Sequence, residues 1–118
     1  WEKAARGGQD VIYPWGDQGP ADGARANYSG NGRFDATSPV GSFEAGRNAY
    51  GLYDMAGNVW QWTSTTLVAA AGTGRQIVKG GSWMDGPADL RVSNRRDVDP
   101  SLGYVDVGFR LVREAFND

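Results

Sequence analysis

Apolar and polar positions along this chain fall into a regular period only in short stretches. Residues 59–65 set Trp60, Trp62 and Ser64 against Gln61 and Thr63, and this period of two predicts a strand. Residues 76–79 (QIVK) predict a second strand running into Gly80-Gly81, and residues 107–113 (VGFRLVR) a terminal strand with Phe109, Leu111 and Val107 on one face. Between the first two, residues 66–75 read as a hairpin tip with Gly72 and Gly74 as turn residues. At the start, residues 1–6 (WEKAAR) suit a helix that stops at Gly7-Gly8. Tyr13-Pro14-Trp15-Gly16 reads as a turn, residues 37–43 (TSPVGSF) as a short extended piece and residues 53–56 as a turn or short helix. The rest has no period. Residues 17–34 and 85–106 read as loop, with room for a short helix or strand at 88–95. The pattern predicts one loop-rich α+β domain with a small antiparallel sheet.

Composition sharpens this. The 118 residues include 18 Gly and 5 Trp, about twice the usual glycine share. Glycine permits sharp turns and tryptophan buries large areas, so irregular backbone packed around aromatic plugs is expected. The net charge is −2 and no Lys/Arg run exists, which argues against nucleic acid or an anionic membrane as partner. No apolar run approaches a membrane span. The chain opens at Trp1 without Met, which reads as a fragment of a longer protein.

The chain contains no Cys and no His. Disulfides, thiolate chemistry, Ser-His-Asp triads and the usual zinc sites are thereby excluded within these residues. Carboxylate chemistry, oxygen-ligated cations and binding without catalysis remain. Asp85, Asp89, Asp97, Asp99 and Asp106 offer acid–base pairs, but solvated loop aspartates equally serve turns, and no spacing selects a pair.

Several blocks follow one another in a telling order: YPWG at 13–16, PVGSF at 39–43, NAYGLYDMAGNVWQWTS at 48–64, KGGSW at 79–83 and VGFRLVRE at 107–114. Together with WEKAARGG they resemble the formylglycine-generating enzyme / sulfatase-modifying-factor family, a branch of the C-type lectin fold. The resemblance covers nearly the whole chain and implies a single C-type lectin-like domain over 1–118, the C-terminal portion of a longer protein. It also implies two chemistries to look for. The best known members oxidise a cysteine with copper held by two cysteines after the GGS block, and relatives use iron held by histidines. Here Trp83, Met84, Asp85, Gly86 and Pro87 follow Gly80-Gly81-Ser82, so no copper is expected.

Structural calcium is a further implication. One site would take the Asp54 side chain, the Gly57 and Val59 carbonyls and Gln61, where members commonly carry Glu. A second would take Asn27, the Tyr28 carbonyl and Asp35. A neutral amide at Gln61 should weaken the first site.

Residues 85–110 contain no Lys, Glu, Gln, Met or Trp, types that make up roughly a fifth of ordinary sequence. Mutating the adenines of AAC codons reaches Asn, Asp, Ser, Tyr, Gly, Val, Leu and Arg but none of those five. This is similar to the variable proteins of diversity-generating retroelements, many of which have this lectin-like fold. Their frame corresponds to Gly80-Gly81-Ser82-Trp83, Leu90-Arg91, Asn94-Arg95, Pro100 and Gly108-Phe109-Arg110. The resemblance makes Asp85, Gly86, Asp89, Asn94, Arg96, Val98, Asp99, Leu102, Tyr104 and Asp106 candidate ligand-binding positions, carried above Trp60, Trp62, Trp83 and Phe109. A protein or glycan ligand, at a cell surface or met by a secreted protein, is the expectation. The alternative is a catalytic family domain with its ligands elsewhere, or a degenerate regulatory paralogue.

Overall fold

A computed structural model describes residues 1–68 and 74–115. Regular elements are few: helix α1 (Glu2–Arg6), strands β1 (Trp60–Val68), β2 (Gly74–Lys79), β3 (Arg96–Val98) and β4 (Val107–Gly108), and 3-10 turns at Glu44–Gly46 and Pro87–Leu90. Five residues are too few for an isolated helix. Here α1 is held by burial of Ala5, by a left-handed stop at Gly7 (φ 61°) and by the Asn48 amide, which donates to the carbonyls of Ala4 (2.6 Å) and Ala5 (3.1 Å).

The sheet has the order β3-β2-β1-β4. β1 and β2 pair antiparallel, Gln61 opposite Lys79, with a register shift between Trp62 and Thr66. Side chains mend the interrupted ladder: Thr63 Oγ1 donates to the Ile77 carbonyl (2.8 Å) and Gln76 Nε2 to the Thr63 carbonyl (2.7 Å). β3 adds antiparallel to β2. β4 adds parallel to β1, so the small sheet is mixed rather than wholly antiparallel. The chain leaves β3 at one edge and returns at the other, and that crossover brings it in parallel.

Three buried clusters form the core. Ala26, Tyr28, Ala56 and Leu90 make the first, Ala5, Met55 and Val92 the second, and Trp60, Val78 and Val98 the third. Side-chain amides take over where ladders are missing. Asn58 accepts from Ser38 N (2.9 Å) and donates to the Ser38 carbonyl, and Asn27 donates to the Ala36 carbonyl (2.8 Å). Buried loop backbone must find such partners.

Several expectations are corrected. Residues 37–43 are not one extended piece; Ser38 is clasped by Asn58, and the chain turns at Val40 and Gly41. Of the two readings for residues 53–56 the helix fails and the turn stands: Met55 and Ala56 lie in a bend, and Asp54 takes a left-handed φ of 57°. The terminal strand is paired only at Val107 and Gly108. Beyond it Arg110 turns inward to the Tyr53 carbonyl, leaving Phe109 (73% exposed) and Leu111 (88%) in solvent, so Phe109 supports nothing beneath the 85–106 segment. The ends of the expected hairpin tip are strand rather than turn, Val68 of β1 pairing with Gly74 of β2 because the ladder runs on past Trp62; its centre, at 69–73, lies outside the described residues.

Candidate functional site

The 85–106 segment is fastened at three points, one in each core cluster. Leu90 enters the Ala26–Tyr28 cluster, Val92 the Ala5–Met55 cluster and Val98 the Trp60–Val78 cluster, each at most 2% exposed. Backbone bonds reinforce them: Val92 N donates to the Ile12 carbonyl (2.8 Å) and Ser29 N to the Asp85 carbonyl (2.9 Å). Gly81 (φ 71°) lets the chain pass close, since a Cβ there would lie 2.8 Å from both the Asp89 carbonyl oxygen and Leu90 Cδ2.

All five aspartates of the segment are tied locally. Asp85 accepts from Ser82 N (2.9 Å) and Oγ (2.6 Å), Asp89 from Asn94 Nδ2 (3.1 Å) and Asp97 from Arg75 Nε (3.1 Å). Asp99 accepts from Ser101 Oγ (2.7 Å) and N (2.9 Å), and these bonds hold its carboxyl below the usual range. Asp106 is buried and pairs with Arg96 Nη1 at 3.3 Å, with Ser82 Oγ at 3.4 Å. Asp85 and Asp106 both face the Ser82 hydroxyl, at 2.6 and 3.4 Å, and Asp106 is also held by Arg96; Asp89, Asp97 and Asp99 are each bound to a different partner.

The candidate positions therefore divide. Val98 and Asp106 are buried and belong to the support. Asp85, Gly86, Asp89, Asn94, Asp99 and Tyr104 are half-buried, the Tyr104 hydroxyl lying 3.2 Å from Asp99 N and 3.3 Å from its carbonyl. Arg96 and Leu102 are exposed, with the Arg96 guanidinium 5.8 Å over the Trp60 ring. Trp83 is half-buried. The structure adds exposed positions that the reading of the segment missed: Arg91, Ser93, Arg95 and Val105. A signal existed for the first two, because Leu90, Arg91, Val92 and Ser93 alternate apolar and polar with period two.

The proposed cation ligands meet protein partners instead. Asp54 Oδ2 accepts from Gly41 N (2.8 Å). Buried Gln61 donates to the Asp54 carbonyl (2.6 Å) and accepts from Trp1 Nε1 (2.8 Å) and Arg110 Nε (2.9 Å). Arg110 also donates to the Tyr53 carbonyl (2.5 Å); burial lowers its pKa and the charge of Asp54 partly opposes that. Asn27 Oδ1 and the Tyr28 carbonyl accept from Asn31 Nδ2, while Asp35 is exposed. Calcium takes six to eight oxygens, preferably charged. One carboxylate beside a guanidinium, and a second cluster of neutral groups, do not fit it.

A groove of about 1110 Å³ lies to one side, lined by Trp1, Leu52, Trp62, Ile77, Lys79 and Arg95 among others. From the 85–106 segment only Ser93 and Arg95 reach it.

Compared with known proteins, residues 1–115 match the "Sulfatase-modifying factor enzyme 1-like domain" family. The chain belongs to that family. It is 36% identical to "Inactive C-alpha-formylglycine-generating enzyme 2" of Mus musculus, over 98% of this chain and 41% of that protein. It is 34% identical to "Formylglycine-generating enzyme" of Mycobacterium tuberculosis, over 97% of this chain and 48% of that protein. Among solved structures it resembles "Treponema denticola variable protein 1" with a TM-score of 0.79 and 28% identity, over 92% of this chain and 43% of that one. The chain thus spans less than half the length of each.

Within this sulfatase-modifying-factor domain, the residues after the glycine pair do structural work. Ser82 is fully buried and its hydroxyl binds Asp85, and Trp83 N donates to the Asn58 carbonyl (3.0 Å). No thiol or imidazole exists in the 118 residues to hold copper or iron. Among the described residues no helix is long and apolar enough to cross a membrane.

Proposed function

We propose that this domain binds a protein or glycan ligand without catalysis, through the exposed side chains of the 85–106 segment. The observation that carries the reading is the segment's division of labour. Leu90, Val92 and Val98 are sunk in the three core clusters, while Arg91, Ser93 and Arg95 between them, and Leu102 and Val105 after them, lie outside the core. Such positions can change identity without unfolding the support. Arginine, tyrosine and small polar residues are also the types that make adaptable binding surfaces. The absence of Lys, Glu, Gln, Met and Trp from residues 85–110 supports diversification through adenine-bearing codons. The likeness to a variable protein supports it too.

The coding DNA tests this. A near-copy of the 85–109 coding stretch nearby in the genome, with adenines where this copy differs and a reverse transcriptase gene alongside, is the expected finding. A neighbourhood without any such copy overturns the diversified reading. The relatives named for formylglycine generation favour a second reading, in which metal ligands lie on sequence outside these residues. Metal analysis of a full-length protein decides it: stoichiometric copper or iron would establish a catalytic domain.

A further inference from the structure

Two buried side-chain amides lie within the loop sites to which the family resemblance would give calcium: Asn31 faces two of the oxygens named for the second site, and Gln61 is itself a named ligand of the first. Asn31 Nδ2 lies 2.9 Å from Asn27 Oδ1, 2.7 Å from the Tyr28 carbonyl oxygen and 3.0 Å from the Phe34 carbonyl oxygen. An amide nitrogen carries two hydrogens, so three converging oxygens resemble the crowding around a cation more than an ordinary amide contact. Gln61 Nε2 meets a single oxygen, the Asp54 backbone carbonyl at 2.6 Å, and so clasps that loop by an ordinary amide bond.

The orientation of both amides is forced. Asn31 Oδ1 accepts from Arg33 N (2.7 Å) and Phe34 N (3.0 Å). Gln61 Oε1 accepts from Trp1 Nε1 (2.8 Å) and Arg110 Nε (2.9 Å). All four partners can only donate. Turning either amide over would set N–H against N–H twice and leave oxygen facing oxygen on the other side. Both residues are buried, Asn31 at 7% exposure and Gln61 at 3%, so water does not relieve such a mismatch.

We propose that Asn31 and Gln61 make these two loop clasps independent of metal. Their NH2 groups supply, from within the chain, the positive partial charge that a calcium ion would supply to carboxylates at the same positions. At Gln61 the Arg110 guanidinium adds a full positive charge beside Asp54, which further disfavours a divalent cation. Carboxylates at the two positions would keep the acceptor contacts but turn a second oxygen toward the loop oxygens, and only a bound cation would then close the clasp.

The test compares the whole chain with its Asn31→Asp and Gln61→Glu variants, melted in excess EGTA and in excess calcium chloride. The wild type should melt at the same temperature in both. Each variant should melt lower than wild type in EGTA and recover in calcium, each clasp being judged by its own variant. Stoichiometric calcium binding by the wild type in calorimetry, with a rise in its melting temperature, overturns the proposal. So does a variant that folds in EGTA and is unmoved by calcium. If neither variant folds in either condition, the wild-type comparison alone decides.

Discussion

Replacing Leu90 by Ala should destabilise the support of the candidate surface, while replacing Leu102 by Ser should leave it intact. Both leucines lie in the same polar segment. Leu90 is 0% exposed among Ala26, Tyr28 and Ala56, with Tyr13 and Trp15 against it, whereas Leu102 is 56% exposed. Truncating Leu90 removes three buried carbons, about 2.4 kcal/mol at ~0.8 kcal/mol per methylene. The cavity left behind raises the cost to about 3–5 kcal/mol, because a cluster closed by a stacked Tyr13–Trp15 pair collapses poorly. For a chain of this size that corresponds to a fall of about 10–20 °C in Tm. The change at Leu102 should stay within about 0.5 kcal/mol. Urea titration followed by circular dichroism measures both, and an unchanged m-value confirms that the unfolded state is the same. Equal losses at the two positions, or a loss below about 1 kcal/mol at Leu90, would refute the division between buried pegs and free display positions.

Three further outcomes are expected. Gly81→Ala should cost at least about 1–2 kcal/mol in urea titration, from the left-handed backbone alone, with the 2.8 Å approaches to the Asp89 carbonyl oxygen and Leu90 Cδ2 adding to it. Arg96→Ala should cost about 1–2 kcal/mol at neutral pH, a buried-pair loss discounted for the 42% exposure of the Arg96 side chain; combined with Asp106→Asn the losses should be less than additive. Glu2→Gln should lower stability by under about 1 kcal/mol at neutral pH, since the Lys79 partner holds the Glu2 carboxyl below its ordinary value but the pair is part-exposed. A lowered folded pKa gives stabilisation that is complete above the unfolded value and lost as pH falls through the folded one. The wild-type and variant melting temperatures should therefore converge below about pH 4.

Much of the fold was legible because a few local rules dominate it. The Trp60–Trp62 alternation, the QIVK run into a glycine pair and the helix stop at Gly7 each depend on nearest neighbours, and each is found where expected. Phe109 and Leu111 misled because alternation marks a strand that has a partner. Here the parallel pairing of β4 ends at Gly108 and Arg110 is drawn inward. The burial of Asp106 was equally hidden, since it depends on Ser82 and on Arg96, residues brought near only by the sheet. At the candidate surface, composition singled out a segment but said nothing of its anchors. Val98 counted as variable by its codon class, yet it is the peg that closes the Trp60 cluster.

That mismatch at Val98 and Asp106 constrains how such a surface can vary. A position diversified through its codon need not be free in the fold, and at these two the fold asks for particular chemistry. A charged residue at 98 would enter a cluster made by Trp60 and Val78, and an apolar one at 106 would leave Arg96 without its carboxylate partner. Selection for folding would therefore narrow 98 to small apolar residues and 106 to short acceptors such as Asp or Asn. It would leave 91, 93, 95, 102 and 105 open, because those side chains lie outside the buried clusters. On the proposed reading, usable diversity would be set by these exposed positions, and a library built on them would keep the fold while sampling the surface. Randomising 98 and 106 as well would add sequences that mostly fail to fold.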